Sequence, residues 1–221
     1  MGEDKITNVL PLKLYNKIAP SCELGIWNIY EDEDFFISKL DLSTSEIDYF
    51  EKIKGRRRVE WLAVRYLLHF MSGRKNRGSV IKDEFGKPHL ENSEWHISIS
   101  HTDGKAAVVA SPKLIGIDIQ KFVARIDRIA HKFMRPKESE CLQEETQLEH
   151  LHFFWGAKEA LYKAYGRKQL DFKKHLFVDP FSYQEKGTTT AKVIKGDYQK
   201  SFDVHFDKIE NFFLVWVMET D

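Results

Sequence analysis

Apolar positions along this chain recur with two periods, and the switches between them mark out its elements. ELGIWNIY (23–30), rich in β-branched and aromatic residues, predicts a strand. EDEDFFISKL (31–40) opens on acidic residues and predicts a short helix. LSTSEIDYF (42–50) predicts another, with Ser43 and Glu46 at capping-box spacing. From Arg57 to Met71 the apolar residues follow the helical period, and Ser72 with Gly73 supplies a stop. After GRKNRGS the pattern turns to strands: IKDEFGKPHL around a Gly-Lys-Pro turn, then WHISISHT, KAAVVAS and KLIGIDIQ, punctuated by Asp103-Gly104 and Pro112. The order then begins again. RIDRIAHKFM (125–134) and PKESECLQ (136–143) predict short helices, and LHFFWGAKEALYKAYG (151–166) a long one. HLFV, AKVIK, SFDVHF and FFLVWVM predict closing strands.

Trp61 and Trp155 stand 94 residues apart. Sliding the chain by that distance lays Ser45 on Ser139, Glu46 on Glu140, Ala63 on Ala157 and Leu67 on Leu161. It also lays Val64 on Lys158 and Arg65 on Glu159. The expectation is an internal duplication: an α+β fold made of a pseudo-two-fold pair of similar α/β subdomains in one chain, residues 1–112 and 113–221. A unit of about a hundred residues has a marginal core alone, so each half is expected to lean on the other, with a ligand cleft between them.

The chain has 221 residues, 42% of them hydrophobic, enough for such a core. Lys plus Arg and Asp plus Glu both number 34, so no global basic field points to bulk nucleic-acid binding, and electrostatic specificity must be local. Cys22 and Cys141 give neither a disulfide framework nor a metal-ligand spacing, which fits a reducing, cytoplasmic setting. MGEDKITNVL lacks the basic-then-apolar pattern of a signal peptide. The longest apolar run, FFLVWVM, has the length of a strand, so no membrane association is expected.

Three segments carry candidate chemistry. In KLIGIDIQ the alternation sends Ile115, Ile117 and Ile119 to one face and Gly116, Asp118 and Gln120 to the other. That polar face is either a solvated edge or a ligand wall, with Gly116 leaving room for a ligand or another backbone. On the long helix, Lys158, Tyr162, Trp155, Glu159 and Lys163 fall within one arc, opposite Ala157, Ala160, Leu161 and Ala164. The arc is either a solvated face with a Glu159–Lys163 pair or the wall of a polar cleft. Arg56, Arg57 and Arg58 crowd a helix start, where cations oppose the dipole unless an anion joins them. Lys87 and His101 are weaker singles. EHLH (149–152) lacks zinc-protease spacing, and no Walker loop, GxGxxG or GxSxG occurs.

In this order, "RRRVEWLAVRYLL", "GKPHL", "SISHT", "GIDIQ" and "WGAKEALYKAYG" resemble the phosphopantetheinyl transferase family, the larger surfactin-synthetase-activating type. The likeness spans most of residues 55 to 170, and the pairing of GIDxx with WxxKEAxxK is its specific part. The resemblance implies a pseudo-symmetric pair of α/β halves. It also implies a Mg²⁺-dependent transfer of the 4′-phosphopantetheine arm of coenzyme A to a serine of an acyl, peptidyl or aryl carrier domain, releasing adenosine 3′,5′-bisphosphate. By that likeness Asp118 and Glu159 are the metal carboxylates, and Lys158 and Lys163 face the pyrophosphate. Ser100 and His101 match the step where histidine approaches the 3′-phosphate, Lys87 and Pro88 the turn cradling the adenine end. Arg58 and Arg65 are basic residues of the coenzyme pocket, with the choice among the three consecutive arginines open. Glu159, directly or through a water, is the candidate base for the serine proton.

Many relatives carry Glu where this chain has Gln120, so the third metal ligand here is expected to be that amide or a water. The expectation is an active, monomeric enzyme that needs more free Mg²⁺ than an Asp/Glu/Glu relative. Two other readings compete: a non-catalytic coenzyme A or carrier-protein binder, and a Mg²⁺-dependent enzyme handling another nucleotide.

Overall fold

The computed structural model describes residues 12–19 and 21–220; the N-terminal MGEDKITNVL lies outside them. The first half begins with strands β1 (Leu12–Ala19) and β2 (Cys22–Asn28), then helices α1 (Glu33–Ile37), α2 (Thr44–Phe50) and α3 (Arg57–Ser72). Strands β3 (Val80–Lys82), β4 (Pro88–Leu90), β5 (His96–Thr102) and β6 (Lys105–Ser111) complete it. The second half follows with β7 (Ile115–Lys121), α4 (Asp127–Phe133), α5 (Pro136–Ser139) and α6 (Gln147–Tyr165). It closes with β8 (Leu176–Val178), β9 (Lys186–Lys195), β10 (Tyr198–Ile209) and β11 (Phe212–Glu219). No helix of the described residues is long and apolar enough to cross a membrane.

Two sheets result, ordered β1-β2-β6-β5-β4-β3 and β7-β11-β10-β9-β8. Without the extra edge strand β1, the two orders are the same when strands are numbered within each half. The fold is α+β, built twice. β2 and β7 each lie under the long helix of their own half, and in both the helix ends on a left-handed glycine, Gly73 and Gly166.

The repeat is real, but its register differs from the one the tryptophans suggest. The cap glycines are 93 apart, not 94. Arg65 and Lys158, also 93 apart, are the buried cations that bind Glu46 and Glu138 respectively. Those glutamates occupy the third position of α2 and α5, and each accepts one backbone N–H from its own sheet, Val80 and Val178, at 3.2 Å in both cases. Arg65 is thus the counterpart of Lys158, and Tyr66 that of Glu159. The 94-residue identities at Trp61, Ala63 and Leu67 are coincidences of composition in two apolar helices.

Three apolar clusters hold the molecule together. One surrounds α3 in the first half and one surrounds α6 in the second. The third joins the halves: Leu24, Ile26 and Val109 of one sheet meet Ile115, Ile117, Ile119 and Leu214 of the other. At this seam β5 crosses to β7 by polar bonds as well, since the backbone N–H groups of Ile117 and Ile119 donate to the hydroxyls of Ser98 (3.0 Å) and Ser100 (3.1 Å). Buried backbone donators must find acceptors, and these serines supply them where the two ladders meet.

Candidate active site

β7 carries isoleucines at alternate positions into the seam between sheets, which turns Gly116, Asp118 and Gln120 toward α6. Gly116 makes room for another backbone: a Cβ there would lie 1.9 Å from the carbonyl oxygen of Ala160. The close approach brings Lys163 of α6 onto Asp118. Its ammonium donates to Asp118 Oδ1 (2.9 Å), Ser100 Oγ (3.0 Å) and the Ile117 carbonyl (2.9 Å), while Ser100 Oγ donates to the same carboxylate oxygen at 3.1 Å.

Glu159, one helical turn before Lys163, completes the group. Burial raises its carboxyl above the ordinary range, the Asp118 charge raises it further, and Lys163 opposes both. Among the described residues no donor hydrogen-bonds to the Glu159 carboxylate. Two carboxylates against one ammonium leave one negative charge unbalanced, and the second oxygen of Asp118 accepts no hydrogen bond from the described residues. A hard cation that takes one or two carboxylates, waters and phosphate oxygens fits this donor set. No group of three or more His, Cys, Asp or Glu gathers among the described residues, so the pair offers at most two protein carboxylates.

One cavity is lined by Lys163, and a second, formed within the first half, shares Pro88 and Ile99 with it as a wall. One, of about 180 Å³, is lined by Phe85, Lys87, Pro88, Tyr162, Lys163 and Lys168. The other, of about 160 Å³, is lined by Tyr49, Arg57, Trp61, Lys82 and His101 with Arg65 at its back. His101 is held below its usual range by burial, with Arg57 and Lys163 adding to the effect and Glu60, 2.9 Å away, opposing it. Larger concavities occur as well, one near Met71 and Trp95 and an open one around Tyr165 and Lys200 that shares Phe85, Lys87 and Gly166 with the first cavity. None of these cavities is lined by Asp118 or Glu159; the first is tied to the carboxylates by Lys163, which lines it and binds Asp118.

The residues singled out from sequence divide sharply. Asp118, Glu159, Lys163 and Ser100 come together, and His101, Lys87 and Pro88 line the adjoining cavities. Lys87 is half-committed, its ammonium bonding the Ala164 carbonyl at the end of α6 (2.7 Å). Lys158 does not face the cleft. It is fully buried and donates to Glu138 (2.7 Å), Phe133 O (2.5 Å) and Phe172 O (3.3 Å). The single-arc expectation fails because α6 is covered on two sides, by β7 and β11 on one and by α4, α5 and β8 on the other. Trp155 is covered there too, packing on Phe133 and Phe172.

Arg58 is likewise spoken for, binding both oxygens of Glu33 at 2.9 Å and lying over the Phe50 ring. Arg56 pairs with Asp103, and Arg65 with Glu46 while stacked on Trp61. The arginine of the triplet that lines the cavity is Arg57, which forms no ion pair among the described residues. Gln120, expected as a metal ligand, has both ends of its amide bound to His152, at 3.0 and 3.1 Å. Lys82 and Lys168 were not anticipated. Lys82 shares a strand face with buried Val80, which the alternation in VIK could have flagged, and its ammonium lies over the Tyr49 ring, 4.6 Å from the centroid.

Residues 114–214 match the sequence profile of the 4′-phosphopantetheinyl transferase superfamily. The chain is 31% identical over 112 residues to the 4′-phosphopantetheinyl transferase gsp of Aneurinibacillus migulanus, covering 49% of this chain and 46% of that protein. It is 32% identical over 88 residues to a 4′-phosphopantetheinyl transferase of Bacillus subtilis, covering 38% and 39%. The aligned stretch therefore spans less than half the length of either relative. The resemblance carried by GIDIQ and WGAKEALYKAYG agrees with this match, whose span includes Asp118, Glu159 and Lys163.

Proposed function

We propose that this protein transfers the 4′-phosphopantetheine arm of coenzyme A to a serine hydroxyl of an acyl or peptidyl carrier protein, with adenosine 3′,5′-bisphosphate as the second product. The observation that carries the proposal is the convergence of Asp118, Glu159 and Lys163 in a cleft whose flanking cavities are lined by Arg57, Lys82, Lys87 and His101. A neutral chain that handles a pyrophosphate and a separate 3′-phosphate needs such local basic walls.

In the reaction the serine oxygen forms a bond to the pantetheine-side phosphorus as the bond from that phosphorus to the bridging oxygen breaks. The leaving bisphosphate takes the electron pair. Asp118 and Glu159 would hold Mg²⁺, which supplies charge neutralisation for the pyrophosphate when bound. Lys163 fixes Asp118 and presents positive charge beside the cleft. Glu159, with its raised carboxyl range, is suited to receive the serine proton directly or through a water. Ser100 orients Asp118 and Lys163 through its hydroxyl. The same proposal divides the halves at residues 112 and 113, between β6 and β7, and takes the protein as a cytoplasmic monomer whose two halves supply the interface.

The test is mass spectrometry of an apo carrier protein after incubation with coenzyme A, Mg²⁺ and this protein. A phosphopantetheine-sized gain that vanishes with Glu159→Ala is expected. Coenzyme A binding with no gain on any of several fatty-acid, polyketide or peptide-synthetase carriers would instead make the protein a binder.

A further inference from the structure

Gln120 lies two residues beyond Asp118 on the same face of β7, and its contacts give it a different task from the one its position suggests. Its Nε2 donates to the carbonyl oxygen of His152 (3.0 Å), and its Oε1 lies 3.1 Å from Nδ1 of the same residue. The Val123 N–H donates to His152 Nε2 at 3.0 Å, so Nε2 is the acceptor and Nδ1 carries the proton toward Gln120. The alternative tautomer would leave the Val123 N–H without an acceptor and set two lone pairs against each other; the Val123 carbonyl is the more distant neighbour at 3.3 Å.

The clamp is seated firmly. The imidazole of His152 lies parallel to the Phe213 ring, 4.6 Å away and tilted by 5°. Phe213 is itself the cross-strand partner of Gln120. Above the amide sits Gly156, where a Cβ would fall 3.1 Å from Gln120 Nε2 and 2.7 Å from Val215. The helix is therefore pinned to the strand at two points, Gln120 against His152 and Gly116 beneath Ala160, and the carboxylates lie between them. Asp118 comes from the strand and Glu159 from the helix, so their separation depends on how the two elements slide. A slip of about 1 Å in a catalytic group can cost on the order of a hundredfold in rate.

We propose that Gln120 is a positioning residue whose reciprocal bonds to His152 set the register of α6 on β7, and with it the spacing of Asp118 and Glu159, and that its amide is not a ligand of the cation. Activity readouts of this proposal rest on the transferase assignment; two others do not.

The variants are Gln120→Leu, His152→Phe, their double and Gln120→Glu, assayed for kcat, KM for coenzyme A and the Mg²⁺ giving half-maximal transfer. Mn²⁺ binding without coenzyme A and ¹⁵N NMR of the His152 ring are measured on the same proteins. Gln120→Leu is expected to lower kcat about tenfold, the low end for losing an orienting contact, with little change in the Mg²⁺ requirement or in Mn²⁺ affinity. His152→Phe lowers it similarly, and the double no further, because the two act through one contact. Gln120→Glu keeps the acceptor for Nδ1–H but turns a carboxylate oxygen to the His152 carbonyl, so it retains only part of the rate. The His152 signals show the Nδ1–H tautomer in the parent protein and a mixture in Gln120→Leu.

A rise of about tenfold or more in the Mg²⁺ requirement of Gln120→Leu, with kcat restored at saturation, would make Gln120 a ligand and overturn the proposal. Full kcat in Gln120→Leu or His152→Phe overturns it as well. If the parent protein transfers nothing to any carrier, the transferase assignment fails instead. The clamp then stands on the ring signals, and identical His152 signals in parent and Gln120→Leu would remove it.

Discussion

The same scaffold position is filled in opposite ways in the two halves. Two residues after Gly25 on β2 stands Trp27, and two after Gly116 on β7 stands Asp118. One residue after the buried Arg65 on α3 stands Tyr66, and one after the buried Lys158 on α6 stands Glu159. In the first half the pair is aromatic, with Trp27 and Tyr66 edge to face at 5.2 Å and the indole N–H donating to Glu31. In the second half it is two carboxylates and Lys163. Duplication supplied two equivalent seats under a long helix, and one of them is packed shut. The other sets two carboxylates against one ammonium.

The largest effect should come from emptying the charged seat. Under the proposed mechanism, Asp118→Asn or Glu159→Ala removes a carboxylate that would hold Mg²⁺, worth several kcal/mol in a metal-assisted step, so transfer should fall on the order of a thousandfold, about 4 kcal/mol. The equivalent change in the closed seat, Tyr66→Phe, should leave transfer within about twofold, since it alters packing far from developing charge. The readout is kcat on an apo carrier for folded variants. Equal losses in the two seats would mean that the first half takes part in the chemistry, and the contrast would collapse.

The buried cations next to these seats give a second contrast. Glu46 has two partners, Arg65 and Arg77, with buried side chains, whereas Glu138 pairs with Lys158 alone among the charged groups of the described residues. Burial would raise Glu46, but Arg77, Val80 and Ser43 hydrogen bonds hold it below the usual range. Burial lowers Arg65 to about 10, with Glu46 opposing, and lowers Lys158 with Glu138 opposing. Lys158→Met leaves Glu138 buried and unpaired and should cost about 3–5 kcal/mol in urea unfolding. Arg65→Met leaves Arg77 on Glu46 and should cost about 1–3 kcal/mol. A larger loss for Arg65→Met would show that Arg77 does not hold Glu46 by itself.

Much of this was legible in the chain, and the misses share one cause. The Ser43–Glu46 box, α3, the β5–β6–β7 run and the two-half order follow from local periodicity, and the structure has them within a few residues. β1 and the polar start of β9 (KGTTT) were not anticipated, because their pairing comes from neighbours rather than from their own pattern. Asp118, Glu159 and Lys163 were legible because the motif pair GIDIQ and WGAKEALYKAYG places them together. The partners of Lys158, Arg58, Arg65 and Gln120 were not legible for the opposite reason, although Arg65 does line the cavity. Each is a polar side chain near the site whose hydrogen bonds are taken by partners distant in sequence, Glu138, Glu33, Glu46 and His152. A periodic pattern reports which face a residue occupies and says nothing of which partner reaches it there.

The smallest effect is the stability cost of the open seat itself. Glu159 binds its proton more tightly in the folded protein than in the unfolded chain, because burial and Asp118 disfavour its charge. Its contribution is therefore fully present below the unfolded value, near 4.5, and is lost as pH rises through the raised folded value. Glu159→Gln removes that loss. In metal-free buffer the variant should melt above the parent at pH 7, and the difference should shrink to nothing as pH falls below about 4, where the parent carboxyl is also neutral. Adding Mg²⁺ at pH 7 should raise the parent's melting temperature and reduce the gap, since the ion binds the folded form through the carboxylate the variant lacks. The matching change in the closed seat, Tyr66→Phe, should show no such pH-dependent gap. If Glu159→Gln melts below the parent at pH 7 without metal, Lys163 already balances the pair and the seat carries no stored charge.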